Sequence, residues 1–137
     1  MKIGLLSYRS NPYSGGQGIY IRHLSKALGK LGHDVSVISG QPYPELDDSI
    51  NLIKLPGLGL FESGNRFSAF KISFFWNLLN FYEWFTVMTG GFPEPYTYGR
   101  RVCKLLKKNN FNFDILLDNQ SLSSSLLKIQ KEFPLAV

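Results

Sequence analysis

The segment that most constrains the fold is a short apolar run, Lys2 to Ser7, that ends in turn formers and gives way to a helical period. A run of that length between breakers reads as a buried strand. The turn residues are Arg9-Ser10-Asn11-Pro12-Tyr13-Ser14-Gly15-Gly16. From Ile19, Tyr20, Leu24, Ala27, Leu28 and Leu31 recur at three- and four-residue spacing, with Arg22, Lys26 and Lys30 between them. That period predicts an amphipathic helix, and Gly32 is placed to end it in a left-handed cap. Val35 to Ser39 reads as a second strand and Ile50 to Leu55 as a third, separated by Gln41-Pro42-Tyr43-Pro44. Strand, glycine turn, helix, strand is a βαβ unit, which demands parallel pairing.

Phe61 to Tyr98 differs in kind, since it holds 13 of the chain's 20 aromatic residues and so must be covered. Phe67, Phe70, Phe74, Leu78, Phe81, Phe85 and Met88 step by three or four, predicting a helix over 67–88 with that stripe on the sheet. Trp76, Leu79 and Val87 fall on its other sides. Lys71, Asn77, Asn80 and Glu83 interrupt any apolar run of the roughly 18 residues that a membrane span needs. Thr89 to Pro95 reads as a loop, and a second helix is expected from about Thr97 to Lys108. Phe113 to Leu117 follows as a fourth strand. Ser121 to Glu132 is expected as a helix with Asp118, Asn119 and Ser121 as capping candidates, and Pro134 to Val137 opens a fifth strand. The expectation is one α/β domain over 1–137, a Rossmann-like parallel sheet with helices on both faces, order 3-2-1-4-5 and a short last strand. A domain ending on an uncovered strand is expected to be incomplete.

Composition removes several classes. The chain has 137 residues, which suits one domain, and its charged share of 18% with 15% aromatics excludes a disordered tail. One cysteine, Cys103, permits no intramolecular disulfide and no CxxC metal site, and it reads as a small core residue. His23 and His33 have no cysteine nearby, so no metal is expected. The first residues lack the apolar core of a signal peptide, which leads to the expectation of a cytoplasmic protein. The net charge of +5 carries no helix-turn-helix, RNP or zinc pattern, so nucleic acid is not an expected partner. Arg100, Lys104, Lys107 and Lys108 share one helical face with Arg101 alongside. A solvated surface is the simpler reading; the alternative is peripheral contact with anionic lipid at the inner membrane face.

Two segments carry candidate chemistry. Gly15, Gly16, Gln17 and Gly18 join the first strand to the first helix, where glycines let the backbone approach a ligand and the helix presents its positive end. A tight turn with no ligand explains the same glycines. A dinucleotide fingerprint fails, because Ile21 stands where its last glycine would fall and the second strand ends Ile38-Ser39-Gly40 without an acidic residue. No Gly-Lys-Ser/Thr follows, so a Walker loop fails too. Asp118, Asn119 and Gln120 end the fourth strand, at the edge where parallel sheets bind ligands, and offer groups for sugar hydroxyls. For Asn119 alone, a helix cap without a ligand is the better reading.

Together these residues resemble the N-terminal half of family 4 glycosyltransferases, which have the GT-B architecture of two Rossmann-like lobes. The resemblance rests on Met1-Lys2-Ile3, Ser14 to Gly18, Ile21-Arg22-His23-Leu24, Leu31-Gly32-His33-Asp34-Val35, Gly40 to Pro44 and Phe113-Asp114. It implies the acceptor-binding lobe of a retaining enzyme that moves a sugar from a nucleotide-sugar donor to a sugar or lipid-linked acceptor. It implies no essential metal and no cofactor, the nucleotide sugar being a substrate. It puts Gly15, Gly16, Gln17 and Gly18 at the cleft facing the donor diphosphate. Histidines that many members carry after the fourth strand are replaced here by Leu117 and Asn119. No catalytic residue is therefore assigned, and Asp118, Asn119 and Gln120 become candidates for substrate contact. The donor-binding lobe is absent from these residues, so the chain alone is expected to be inactive. A non-catalytic Rossmann-like binding or membrane-interaction module is the alternative.

Overall fold

The computed structural model describes residues 1–60, 77–121, 123–130 and 133–136. Five strands form one sheet: β1 (Lys2–Ser7), β2 (Asp34–Ser39), β3 (Asn51–Lys54), β4 (Ile115–Asp118) and β5 (Leu135–Ala136). Their order is β3-β2-β1-β4-β5. Every pair is parallel, with Leu6 opposite Ile38 on one side and Asp118 on the other. This is the expected order, and β5 is short.

Alternation along the strands builds two cores. Ile3, Leu5, Val35 and Val37 face α1 (Gln17–Lys30), burying Ile21 with Leu24 and Leu28 packed alongside. Leu6, Ile38 and Leu116 face α3 (Glu94–Lys108) through Tyr98, Val102 and Leu106. Leu5 and Leu6 are both fully buried, which is why β1 reads as a continuous apolar run rather than an alternating one. Helices thus cover both faces, as a Rossmann-like fold requires.

Four details depart from the sequence reading. The buried stripe of α1 is Gly18, Ile21 and Ser25, while Tyr20 and Leu31 are exposed. Small residues on that stripe let the helix sit close, and a Cβ on Gly18 would lie 2.2 Å from the Asn11 carbonyl oxygen. Secondly, α3 begins at Glu94 rather than near Thr97, because Pro95 lies in the first turn, where no backbone N–H is needed.

The third concerns Ser121 to Glu132. Among its described residues there is no α-helix, only turns and a 3-10 turn at Leu126–Lys128. The serines hold the chain in other ways: Ser123 and Ser125 hydroxyls share a 2.7 Å bond, and Ser125 Oγ donates to the Tyr96 carbonyl at 3.0 Å. Such side chains compete with the helical ladder.

The fourth is the aromatic helix. Phe67, Phe70, Phe74 and Trp76 lie outside the described residues; within them, α2 runs Leu78–Met88. Its buried residues are Glu83 and Val87, whereas Leu78 is 82% and Phe85 54% exposed. The expected stripe is therefore turned outward at Leu78 and Phe85. The cause is an ion pair. Glu83, 2% exposed, meets Arg101 of α3, whose guanidinium also donates to Asn80 Oδ1 at 3.0 Å and Thr97 Oγ1 at 3.3 Å.

Candidate functional site

The strand order reverses at β1, so the ends of β1 and β4 border the switch point where open α/β sheets bind ligands. Four side chains stabilise this edge from below. Ser10 Oγ donates to Ser7 Oγ at 2.6 Å, and Ser39 Oγ donates to Ser10 Oγ at 3.3 Å. Tyr98 reaches up from α3, donating to the Ile38 carbonyl at 2.6 Å and accepting from Ser7 N–H at 3.0 Å. All four are buried. The signal for them was weak but present: Ser7 and Ser39 are the polar last residues of apolar strands.

Burial, with help from the Asp118 charge, holds the Tyr98 phenol well above its usual value, while the Ser7 N–H opposes. Removing the hydroxyl in Tyr98→Phe takes away a buried bond to the Ser7 N–H and one to the Ile38 carbonyl, an expected cost of about 1–3 kcal/mol. Thermal melts should show it as a drop of roughly 3–10 °C. The pH dependence has a definite sign. Native Tyr98 keeps its proton where an unfolded tyrosine loses it, so this contribution is full below about pH 10 and falls as pH rises past it. Tyr98→Phe lacks the contribution, and its gap to wild type should narrow there.

Above this floor the loop after β1 crosses to α1. Asn11 Oδ1 accepts from Tyr13 N–H at 2.9 Å and Ser14 N–H at 3.2 Å, and Ser10 N–H donates to the Pro42 carbonyl at 2.9 Å. The Tyr13 hydroxyl donates to Glu45, which raises the Tyr13 pKa. Gly15 (φ 84°) and Gly16 (φ 71°) are left-handed with open space around them, while Gly18 is needed for packing against Asn11. Gly16 is the N-cap of α1 and has no side chain to cap it. The first i→i−4 bond runs from Tyr20 N–H to the Gly16 carbonyl, so earlier N–H groups of that turn take no helical partner.

The loop and the end of β4 meet at a single bond: Gln17 Nε2 donates to Gln120 Oε1 at 3.2 Å, across 103 residues. Gln120 is exposed with φ 61°, the one described non-glycine residue in the left-handed region. The bond leaves the Gln17 carbonyl and the Gln120 amide N–H groups available to hydroxyls. Asp118 and Asn119 are buried instead. Asp118 accepts from Ser121 Oγ, and Asn119 N–H extends the ladder to the Leu6 carbonyl at 2.8 Å, while its Nδ2 is buried without a partner. The structure thus joins Gln17 to Gln120 at the surface and sets Asp118 and Asn119 beneath them.

Beside this edge lies a cavity of about 20 Å³ lined by Tyr8, Gln41, Glu83, Tyr98 and Arg101. It has room for about one water. Cys103 lies away from the edge, its thiol pushed up by burial and donating to the Ser125 carbonyl at 3.4 Å. Among the described residues, no three His, Cys, Asp or Glu side chains group as metal ligands.

Residues 14–134, from the glycine loop to the approach to β5, match the family described as Glycosyltransferase Family 4. The chain belongs to this family. A similar protein is the "MMP alpha-(1->4)-mannosyltransferase" of Mycolicibacterium hassiacum, 47% identical over 137 residues. The alignment covers 98% of this chain and 33% of that protein, so the chain spans about a third of its relative's length. The matched family region contains all seven candidate residues: Gly15, Gly16, Gln17, Gly18, Asp118, Asn119 and Gln120.

Proposed function

We propose that the chain is the acceptor-binding lobe of a retaining GT-B glycosyltransferase that moves a sugar from a nucleotide-sugar donor to a sugar or lipid-linked acceptor. The donor is held by a second, C-terminal lobe, and the reaction runs in the cytosol without a metal or cofactor. The observation that carries this reading is the Gln17–Gln120 bond, which sets neutral hydroxyl-reading amides beside the uncapped start of α1. Carboxamides suit sugar hydroxyls, whereas the helix end suits a leaving diphosphate. Preorganised N–H groups there would stabilise charge as the nucleotide departs. The relative's name and its 47% identity support transfer of mannose as the first reaction to assay.

The test is made with this lobe joined to its donor lobe. Gly16→Val places a β-branched side chain at φ 71° in open space, so its folding penalty is strain alone, on the order of 1–3 kcal/mol. Sugar transfer should nevertheless fall below detection, with substrate binding lost at temperatures where the variant is folded. A variant that melts earlier yet binds normally would make the loop structural only. Alone, the 137-residue chain should show no transfer and should bind nucleotide sugars no better than about millimolar, because one wall of a cleft buries little ligand. Turnover by the isolated chain would overturn the reading.

A further inference from the structure

Tyr13 is the most exposed aromatic side chain among the described residues, at 82%, yet it is held at both ends. Asn11 Oδ1 accepts from its N–H at 2.9 Å, and its hydroxyl donates to Glu45 in the connection between β2 and β3. Ordering an exposed tyrosine on a ligand costs side-chain entropy, but this ring is positioned before any ligand arrives. Four residues on, Gln17 is tied the other way, to Gln120 after β4. In the sheet order β3-β2-β1-β4-β5 the two ties reach to opposite sides of β1. Between them stand Gly15 and Gly16, where an added Cβ meets nothing within 4 Å. A bare, open turn is thus flanked by an aromatic ring on one side and by carboxamides on the other.

We propose that the Tyr13 ring is the platform on which a pyranose ring of the acceptor stacks, so that Tyr13 selects a cyclic sugar. This rests on the reading of the chain as an acceptor-binding lobe. One face of a pyranose presents axial C–H bonds, whose slight positive charge suits the negative face of an aromatic ring. Its hydroxyls project around the rim and need acceptors and donors there. The Glu45 carboxylate has acceptor positions beyond the one the Tyr13 hydroxyl takes, and the amides of Gln17 and Gln120 supply both kinds of group. A nucleobase could stack equally well, but the Glu45 charge at the ring's edge repels the diphosphate it carries, whereas a neutral sugar is not repelled. Tyr13 is two residues from Gly15, so their Cα atoms lie within about 7 Å. Stacking therefore sets the acceptor beside the turn assigned above to the leaving diphosphate.

An NMR titration of the chain with an α-(1→4)-linked mannotetraose, chosen for the relative's name, tests this. Protons above an aromatic face move upfield, so ring C–H signals of one mannose unit should shift upfield on binding. Tyr13→Ala should abolish that shift and weaken binding about 10-fold. Tyr13→Phe keeps the ring and should keep the shift, with a loss of roughly 2- to 3-fold from the missing Glu45 tie. The side chain is exposed, and an unchanged melting temperature shows that each variant keeps its fold. Mannitol, which has similar hydroxyls but no ring face, should show no upfield shift. Absence of tetraose binding, unshifted ring signals in the bound sugar, or Tyr13→Ala binding as tightly as wild type overturns the proposal. So does a titration with uridine or guanosine diphosphate in which base protons move upfield with wild type but not with Tyr13→Ala, since the ring would then hold the donor. Sugar transfer is not read in this assay. Transfer by the two-lobed enzyme that survives Tyr13→Ala with acceptor KM unchanged would remove the stacking and leave the glycosyltransferase reading in place.

Discussion

Replacing Arg101 with alanine is expected to cost about 3–5 kcal/mol of stability, because it strands a buried carboxylate. Among the described residues, Glu83 keeps only the Leu58 N–H at 3.4 Å once the guanidinium is gone, and with Arg101 in place it is 2% exposed. The loss corresponds to a melting temperature lower by roughly 10–15 °C. Glu83→Gln should be milder, about 1–2 kcal/mol, since Arg101 retains Asn80 and Thr97 as acceptors. Glu83→Leu combined with Arg101→Met removes both charges and fills similar space, so it should return to within about 1 kcal/mol of wild type. Urea unfolding of the three variants measures this order. An Arg101→Ala cost under about 1 kcal/mol would show that the pair does not hold α2 to α3.

Gly18→Ala should damage both folding and function, by overpacking rather than by the backbone strain that acts at Gly16. The added Cβ would lie 2.2 Å from the Asn11 carbonyl oxygen and 2.7 Å from that of Ser10, so backbone rather than a flexible side chain must give way. Overpacking of that kind costs about 1–3 kcal/mol or more. The start of α1 has to retreat by about 1 Å, and a misplacement of that size at a reacting site costs on the order of 100-fold in rate. In the two-lobed enzyme, kcat/KM should fall by that factor at temperatures where the variant is folded. Unchanged kcat/KM in a destabilised variant would assign Gly18 to packing alone.

Within the candidate site, the glycines were readable because φ above zero and close backbone approach both exclude side chains. Gln17 and Gln120 were readable as members of two polar segments, but not as partners. The expected order already set β1 beside β4, but which side chains meet across 103 residues depends on the left-handed turn at Gln120. Tyr98, Ser10 and the inward Glu83 left little trace, because a polar group's burial is decided by whatever satisfies it. In the sequence Glu83 is only an interruption of an apolar run, and its burial is decided by Arg101 of α3.

Local patterning was enough to determine the parallel α/β architecture. Apolar runs of strand length, a glycine turn and a helical period each follow from contacts within a few residues, and crossover geometry then restricts pairing to the order found. Gly32 ended α1 in a left-handed residue because that requirement is equally local. What only the tertiary structure decided was which way the helices faced and where the polar groups went. The α1 stripe rotated to place Gly18 and Ser25 against the sheet, the serine tract after β4 took hydroxyl bonds instead of a helix, and α2 turned Leu78 and Phe85 to solvent. In each case the competing choices differ by a few hydrogen bonds or one ion pair, and those partners are supplied by chain that is distant in sequence.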